Sequence, residues 1–348
     1  MLLLKSDNLS FNIQSPGCFI AGLQRETGEI PWHENGKTDP WDLVESAMGL
    51  NISGHGREAV LAFEWMKSNQ NPDGSWFSSY KDGKPLDRTV ESNMSTYIAT
   101  GLFHHWLITR DTQFIEKMWD TLEKGINFAL ALQTVQGEIY WAKSPMGIVD
   151  PMALLTGSSS ILMSLKCALS LGMILGKTGE QKKWERAFLK LQHSIKNQPH
   201  VYNISKSRYS MYWFYPVLTG ALVGADAEKR IEKYWEKYVV EGRGVKCVSD
   251  RPWITMAETA ELVLALEAVG RTDQAERVFS WIQNCIYEDN SFWCGYTYPD
   301  STIWPCERIT WTNAVVMMAA DALYSFTPAS ALFSHKSWDG FIYTGFVN

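Results

Sequence analysis

Helical runs that mix charged and apolar positions alternate along this chain with runs that are apolar nearly all the way round. Residues 113–132, 180–196, 226–240 and 272–285 carry the mixed pattern, with Phe114, Met118, Leu122, Ile126 and Leu130 forming one face of the first. The intervening segments 90–107, 156–175, 211–223, 256–269 and 311–325 read as buried helices, as does a shorter run ending at Leu50. No strand longer than a few residues is expected. An apolar helix followed by one with a single apolar face buries its surface most simply in two concentric layers. Six such pairs close a ring, so the pattern predicts an all-α fold, an (α/α)6 toroid of inner and outer helices, as a single domain over 1–348. An open superhelical solenoid is the rival arrangement.

A short unit recurs where helices end. Gln70-Asn71-Pro72-Asp73-Gly74-Ser75-Trp76 closes one helix, turns on glycine and places a tryptophan. Related copies start at Gln24, Gln133 and Gln283, and weaker ones lie near 198–208 and 241–247. A spacing of roughly 45 to 60 residues matches a helix hairpin as the repeating unit. Asp39-Pro40-Trp41-Asp42 reads as a helix start, with Asp39 as cap and Pro40 in the first turn, and Asp150-Pro151 reads the same way.

The glutamine-to-tryptophan unit resembles the QW motif of the terpenoid cyclase and prenyltransferase repeat superfamily, the squalene–hopene cyclase-like α/α toroids. In those proteins the motif is structural, which implies that Gln70 and Trp76 are scaffold. The resemblance also implies a transferase or cyclase acting on an isoprenoid. Neither a DxDD acid motif nor a DxC zinc arrangement is present, so no metal and no other cofactor is expected.

Composition narrows the partners. A formal charge of −6 without a basic stripe excludes nucleic acid. No apolar run reads as a membrane span, Lys5 and Asp7 interrupt any signal-peptide pattern, and a cytoplasmic location is expected. The six cysteines stand singly, against a disulfide or zinc framework. The 16 tryptophans and 14 tyrosines exceed what a core needs, and many sit beside Gly, Pro or Asp, as expected of residues that line a site or lock loops.

In a toroid the segments entering the inner helices share one rim. They supply four carboxylates as catalytic candidates, Asp87, Glu91, Asp250 and Asp300, because desolvation and like charge let neighbouring acids hold different protonation states. Asp87 and Glu91, taken as one helical turn apart at a helix start, form the first choice. The candidates for holding substrate are His33, Trp41, Arg88, Asn93, Arg208, Tyr209, Trp213, Arg251, Trp253, Tyr298, Trp304 and Glu307. Asp39, Asp42 and Glu258 share the rim, but Asp39 and Glu258 have structural readings, as a helix cap and as part of a capping box with Thr255. The expected partner is a small molecule, an isoprenoid or a saccharide. Aromatic walls suit carbocations and hence isoprenoids. Paired acids beside Trp and Tyr platforms equally suit a carbohydrate-active six-hairpin enzyme, a glycoside hydrolase, lyase or epimerase. A non-catalytic toroid that binds a ligand or protein is the third reading.

Overall fold

The computed structural model describes residues 11–339. In chain order its α-helices are α1 (Gln14–Leu23), α2 (Pro40–Ile52), α3 (Gly56–Ser68), α4 (Ser92–Thr96), α5 (Ile98–Thr109), α6 (Thr112–Leu130), α7 (Leu155–Leu175), α8 (Gln181–Asn197), α9 (Ser210–Leu218), α10 (Gly224–Tyr238), α11 (Met256–Ala268), α12 (Thr272–Ser280) and α13 (Thr310–Tyr324). Helices α2, α5, α7, α9, α11 and α13 each pack on the next, and α13 returns to α2, so the inner ring closes. Closure removes the open solenoid. The partners α1, α3, α6, α8, α10 and α12 lie outside, while α4 continues α5 toward the rim.

The ring forms because the inner helices have no side for water: α2 buries every residue but Asp42, and α7 buries an unbroken run from Gly157 to Gly172. Helix α7 is long and apolar enough to cross a membrane, yet 83% of its most apolar window is buried inside the protein, as in a soluble core helix. The outer helix α1 carries no strong amphipathic signal and has no counterpart in the sequence pattern. The signal-peptide argument on the first ten residues lies outside the described residues.

The description all-α needs correction, because two four-stranded antiparallel sheets sit on the rim. One joins β1 (Phe77–Lys81), β2 (Lys84–Glu91), β3 (Tyr140–Lys143) and β4 (Val149–Ala153); the other joins β5 (Val239–Val240), β6 (Gly244–Lys246), β7 (Trp253–Thr255) and β8 (Gly295–Thr297). Strand β2 is eight residues long, but four of them are exposed, so it lacks the alternation that marks a half-buried strand. Asp150-Pro151 lies in the edge strand β4 rather than at a helix start, and α7 begins at Leu155 with no side-chain cap. An edge is where a strand tolerates proline.

Together the rim segments make a stitched collar. Thr38 bridges Tyr80, β2 pairs β3, Ala153 bridges Tyr202, Tyr209 bridges Val248, and β7 pairs β8. Thr310 closes the circuit by donating its N–H to the Trp32 carbonyl at 2.8 Å. Each of the six segments entering an inner helix is thus hydrogen-bonded to the next.

The repeated motif is a clamp beneath this collar. Gln24, Gln70 and Gln133 each donate through Nε2 to a carbonyl of their own turn, Gly28, Gly74 or Gly137, at 3.0 to 3.1 Å. The same nitrogen donates to the next outer helix, at Glu58, Thr121 or Ala187, within 2.8 to 2.9 Å. Trp76 is fully buried and donates Nε1 to the Met66 carbonyl at 2.7 Å. In the fourth copy the register differs from the sequence reading: the bridge Ile286–Phe292 corresponds to Gln133–Ile139, so Ile286, not Gln283, takes the glutamine's place. Asn290, at φ 62°, replaces the glycine.

Gly74 has φ +92°, and a Cβ there would stand 2.2 Å from the Lys124 carbonyl oxygen. Gly83, at φ +71°, has nothing within 4 Å. Both substitutions to Ala strain the backbone, but only Gly74→Ala must also push α6 away. We expect Gly74→Ala to lose at least about 2 kcal/mol and Gly83→Ala about 1 kcal/mol. Equal shifts in thermal midpoint would show that the close approach is not what demands glycine at 74.

Candidate active site

Three carboxylates project from the first two turns of α2. Asp39 caps the helix, accepting from the Asp42 N–H at 2.9 Å, and also accepts from Trp32 Nε1 at 2.9 Å. Asp42 is the one residue of α2 with appreciable accessible surface. Burial, then the negative charges of Asp39 and Glu45 and a hydrogen bond to Asp39, hold its pKa well above the usual carboxylate range, with Lys37 opposing. Asp42 therefore holds its proton to higher pH than an ordinary carboxylic acid does, while remaining open to a ligand.

Below it lies an aromatic floor that crosses the ring. The Trp41 ring centroid is 4.9 Å from Tyr97 and 5.9 Å from Tyr215 of α9. Trp41 Nε1 donates to Glu45 Oε1 at 2.6 Å, Tyr97 donates to the same oxygen at 3.2 Å, and Tyr215 donates to Glu261 Oε1 at 2.6 Å. Burial pushes Glu45 up to about 8 against those donors. Glu261 is raised in the same direction, first by burial and then by the charges of Glu45 and Glu258. Glu258 and Glu261 belong to the start of α11, and both are buried. The capping box expected at Glu258 does not form: α11 has no side-chain cap, and the Thr255 hydroxyl is buried without a partner. Glu258 is therefore not accounted for by helix capping.

The four carboxylates expected to be catalytic separate. Glu91 is half-buried at the end of β2, where its Oε1 accepts from Ser78 at 3.0 Å. Burial raises it to about 7, and the charge of Asp39 adds to this, so it adjoins the α2 cluster. Asp87 is not on a helix; it is exposed on β2 and accepts from the Thr89 N–H at 2.9 Å. Asp250 is 62% exposed in an ion pair with Arg208, whose Nη2 lies 2.8 and 3.0 Å from its two oxygens. Asp300 is exposed and shapes a turn, accepting from Thr297 and Thr302, each at 2.8 Å. The hydrogen bond from Arg208 lowers Asp250, and those two threonines lower Asp300.

Of the residues expected to hold substrate, Trp41 forms the floor and Asn93 lies buried under Gly157 at the start of α7. His33 and Glu307 are partly exposed and 4.0 Å apart. Trp304, 56% exposed, stands edge-on to Trp253, whose Nε1 donates to its carbonyl at 2.7 Å. Tyr298, half-buried, donates its N–H to the Pro252 carbonyl. Tyr209 is an exposed rim residue, Arg251 is exposed, and Arg88 is exposed over the Phe77 ring. Trp213 is not on the rim: it is buried between α9 and α10, stacked on Tyr238 at 5.3 Å. Among the described residues no group of three or more His, Cys, Asp or Glu is arranged to hold a metal ion.

Sequence reasoning misses Glu45 and Glu261 and keeps Asp42 outside the catalytic set. A signal is there, since Asp39, Asp42 and Glu45 recur every three residues in a helix that is otherwise apolar, as do Glu258 and Glu261.

No family model matches the sequence. The MMP endo-(1,4)-3-O-methyl-alpha-D-mannosidase of Mycolicibacterium hassiacum is 46% identical over 314 residues, 90% of this chain and 86% of that protein. The GH63 mannosylglycerate hydrolase of Thermus thermophilus, solved with glucose, superposes with a TM-score of 0.70 at 10% identity, covering 88% of this chain and 99% of the other. A D-mannose isomerase reaches 0.64 at 10% identity over 88% and 94%. These structures share the α/α-toroid fold. The expected isoprenoid cyclase or prenyltransferase is overturned by the endo-mannosidase relative, and with it the transferase assignment and the isoprenoid substrate. The QW-like clamp misleads because it solves a packing problem common to stacked helix hairpins and touches no substrate chemistry. Enzymatic function and the carbohydrate-active alternative are supported instead, and the chain belongs to the glycosidase family of that endo-mannosidase.

Proposed function

We propose that the protein hydrolyses internal (1,4) linkages of a 3-O-methylated α-mannose oligosaccharide, with Asp42 as proton donor and Glu258 as the second carboxylate. The observation that carries this reading is Asp42 itself, a carboxyl open to a ligand at the start of α2 beside Asp39 and Glu45, whose charges and burial raise its pKa. Leaving-group departure needs a proton on the glycosidic oxygen, and Asp42 supplies it. Glu258, at the start of α11 across the ring, takes the proton of the water that adds to the anomeric carbon. The Trp41, Tyr97 and Tyr215 rings keep water from below and give the sugar an apolar floor. The 46% identical relative supports the choice of saccharide.

Incubation with 3-O-methylated α-(1,4)-mannose oligosaccharides, read by mass spectrometry, should give shorter fragments from internal cleavage. Release of single terminal sugars only, or cleavage confined to other glycans, would overturn the assignment.

A further inference from the structure

Two hairpin tips on the collar expose apolar side chains that the fold does not require. Leu86 near the β1–β2 tip is 60% exposed, and Met146 and Ile148 in the β3–β4 turn are 80% and 60% exposed. The turns themselves are made by Gly83 and Gly147, at φ 71° and 76°, with open space around both. Polar neighbours such as Lys81, Asp82 and Lys84 would serve a solvent-facing tip equally well.

The two tips belong to one sheet: Val90 faces Lys143 and Glu91 faces Ala142 across antiparallel β2 and β3, so the β1–β2 and β3–β4 turns project from the same end of it. Strand β2 runs from this patch to Glu91, next to the α2 carboxylates, over five residues or roughly 17 Å. That is the span of a few sugar units, on the same wall as the site.

We infer that Leu86, Met146 and Ile148 grip the O-methyl groups of a substrate segment held a few sugars from the cleavage point. The inference rests on the proposed saccharide and adds how the enzyme tells a methylated chain from a bare one. An unmethylated mannose chain presents mostly hydroxyls, which lose hydrogen bonds to water on an apolar patch; methyl ethers have no such donor to lose and add apolar surface. Remote binding of this kind acts on ground and transition states alike, so it lowers KM and leaves kcat alone.

The test is the Leu86→Ser/Met146→Ser/Ile148→Ser variant, whose sites are exposed, compared with wild type on methylated and unmethylated oligosaccharides of equal length. KM for the methylated chain should rise about tenfold, with kcat within twofold and the unmethylated KM unchanged. An unchanged methylated KM, or an equal rise for both chains, overturns the inference. Calorimetric binding of both chains to Asp42→Asn protein, with and without the three serines, reads the grip without turnover. Preference for the methylated chain lost only in the serine variant supports it, and no preference in either protein rejects it. If the wild type binds methylated chains with preference yet cleaves none, the proposed reaction fails while the grip stands. Should the triple variant not fold, Met146→Ser alone decides, with a twofold to threefold rise expected and no change as the refuting result.

Discussion

Asp42→Asn should leave a folded protein that loses at least about a thousandfold in kcat, with KM changed little. The amide keeps the shape of the carboxyl and its place above Asp39 but has no proton to give to a leaving oxygen. Glu258→Gln, at the other side of the ring, is expected to fall by a comparable factor. By contrast Asp87→Asn and Asp250→Asn should stay near wild type, because the first side chain accepts from the Thr89 N–H and the second pairs with Arg208 in solvent. Glu91→Gln is the informative comparison, since Glu91 is also raised, to about 7. If Glu91→Gln rather than Asp42→Asn removes activity, the proton donor is Glu91. The pH profile follows from the raised pKa of Asp42: activity declines on the alkaline side as Asp42 loses its proton. That limb should vanish from the residual activity of Asp42→Asn.

The second large effect concerns stability. Glu45 is buried and raised from 4.5 to about 8, so the folded protein keeps its proton through a range in which the unfolded chain has lost it. Its contribution is complete below about pH 4.5 and is lost as pH rises toward 8. Glu45→Gln imitates the protonated acid: its Oε1 still accepts from Trp41 and Tyr97, and it does not titrate. Relative to wild type, Glu45→Gln should gain stability progressively between about pH 5 and pH 8, reaching about 3 to 5 kcal/mol. Denaturant unfolding at several pH values measures this directly. Parallel curves for the two proteins would mean that Glu45 is ionised in the folded state.

The helix alternation, the Asp39 cap and the turn motif are legible because each has a local cause: a buried helix must be apolar, a free N-terminus wants an acceptor, a left-handed turn wants glycine. The rim sheets are not, because β2 is exposed on both faces and its sequence, Lys84 to Glu91, has no period of two. Reading β2 as the start of a helix is what puts Asp87 and Glu91 together and makes them the first choice. The α2 and α11 carboxylates are visible as residues but hidden by adequate local explanations. Asp39 does cap its helix, and nothing in the sequence says that Thr255 declines to cap α11. The shared requirement that unites Asp42, Glu45, Glu258 and Glu261 is spatial. It arises only when two helices far apart along the chain stand in one ring.

The stitched collar has a consequence for how such a protein can change. The carboxylates of α2 and α11 hang from helix starts whose positions are set by the inner ring, whereas the hairpins of the collar are joined to their neighbours through backbone groups that do not depend on side-chain identity. Tips can therefore lengthen, shorten or exchange residues without moving the chemistry beneath them. Divergence in substrate should accumulate in the tips at 81–86 and 144–148, and grafting those two tips between relatives should carry sugar preference with them.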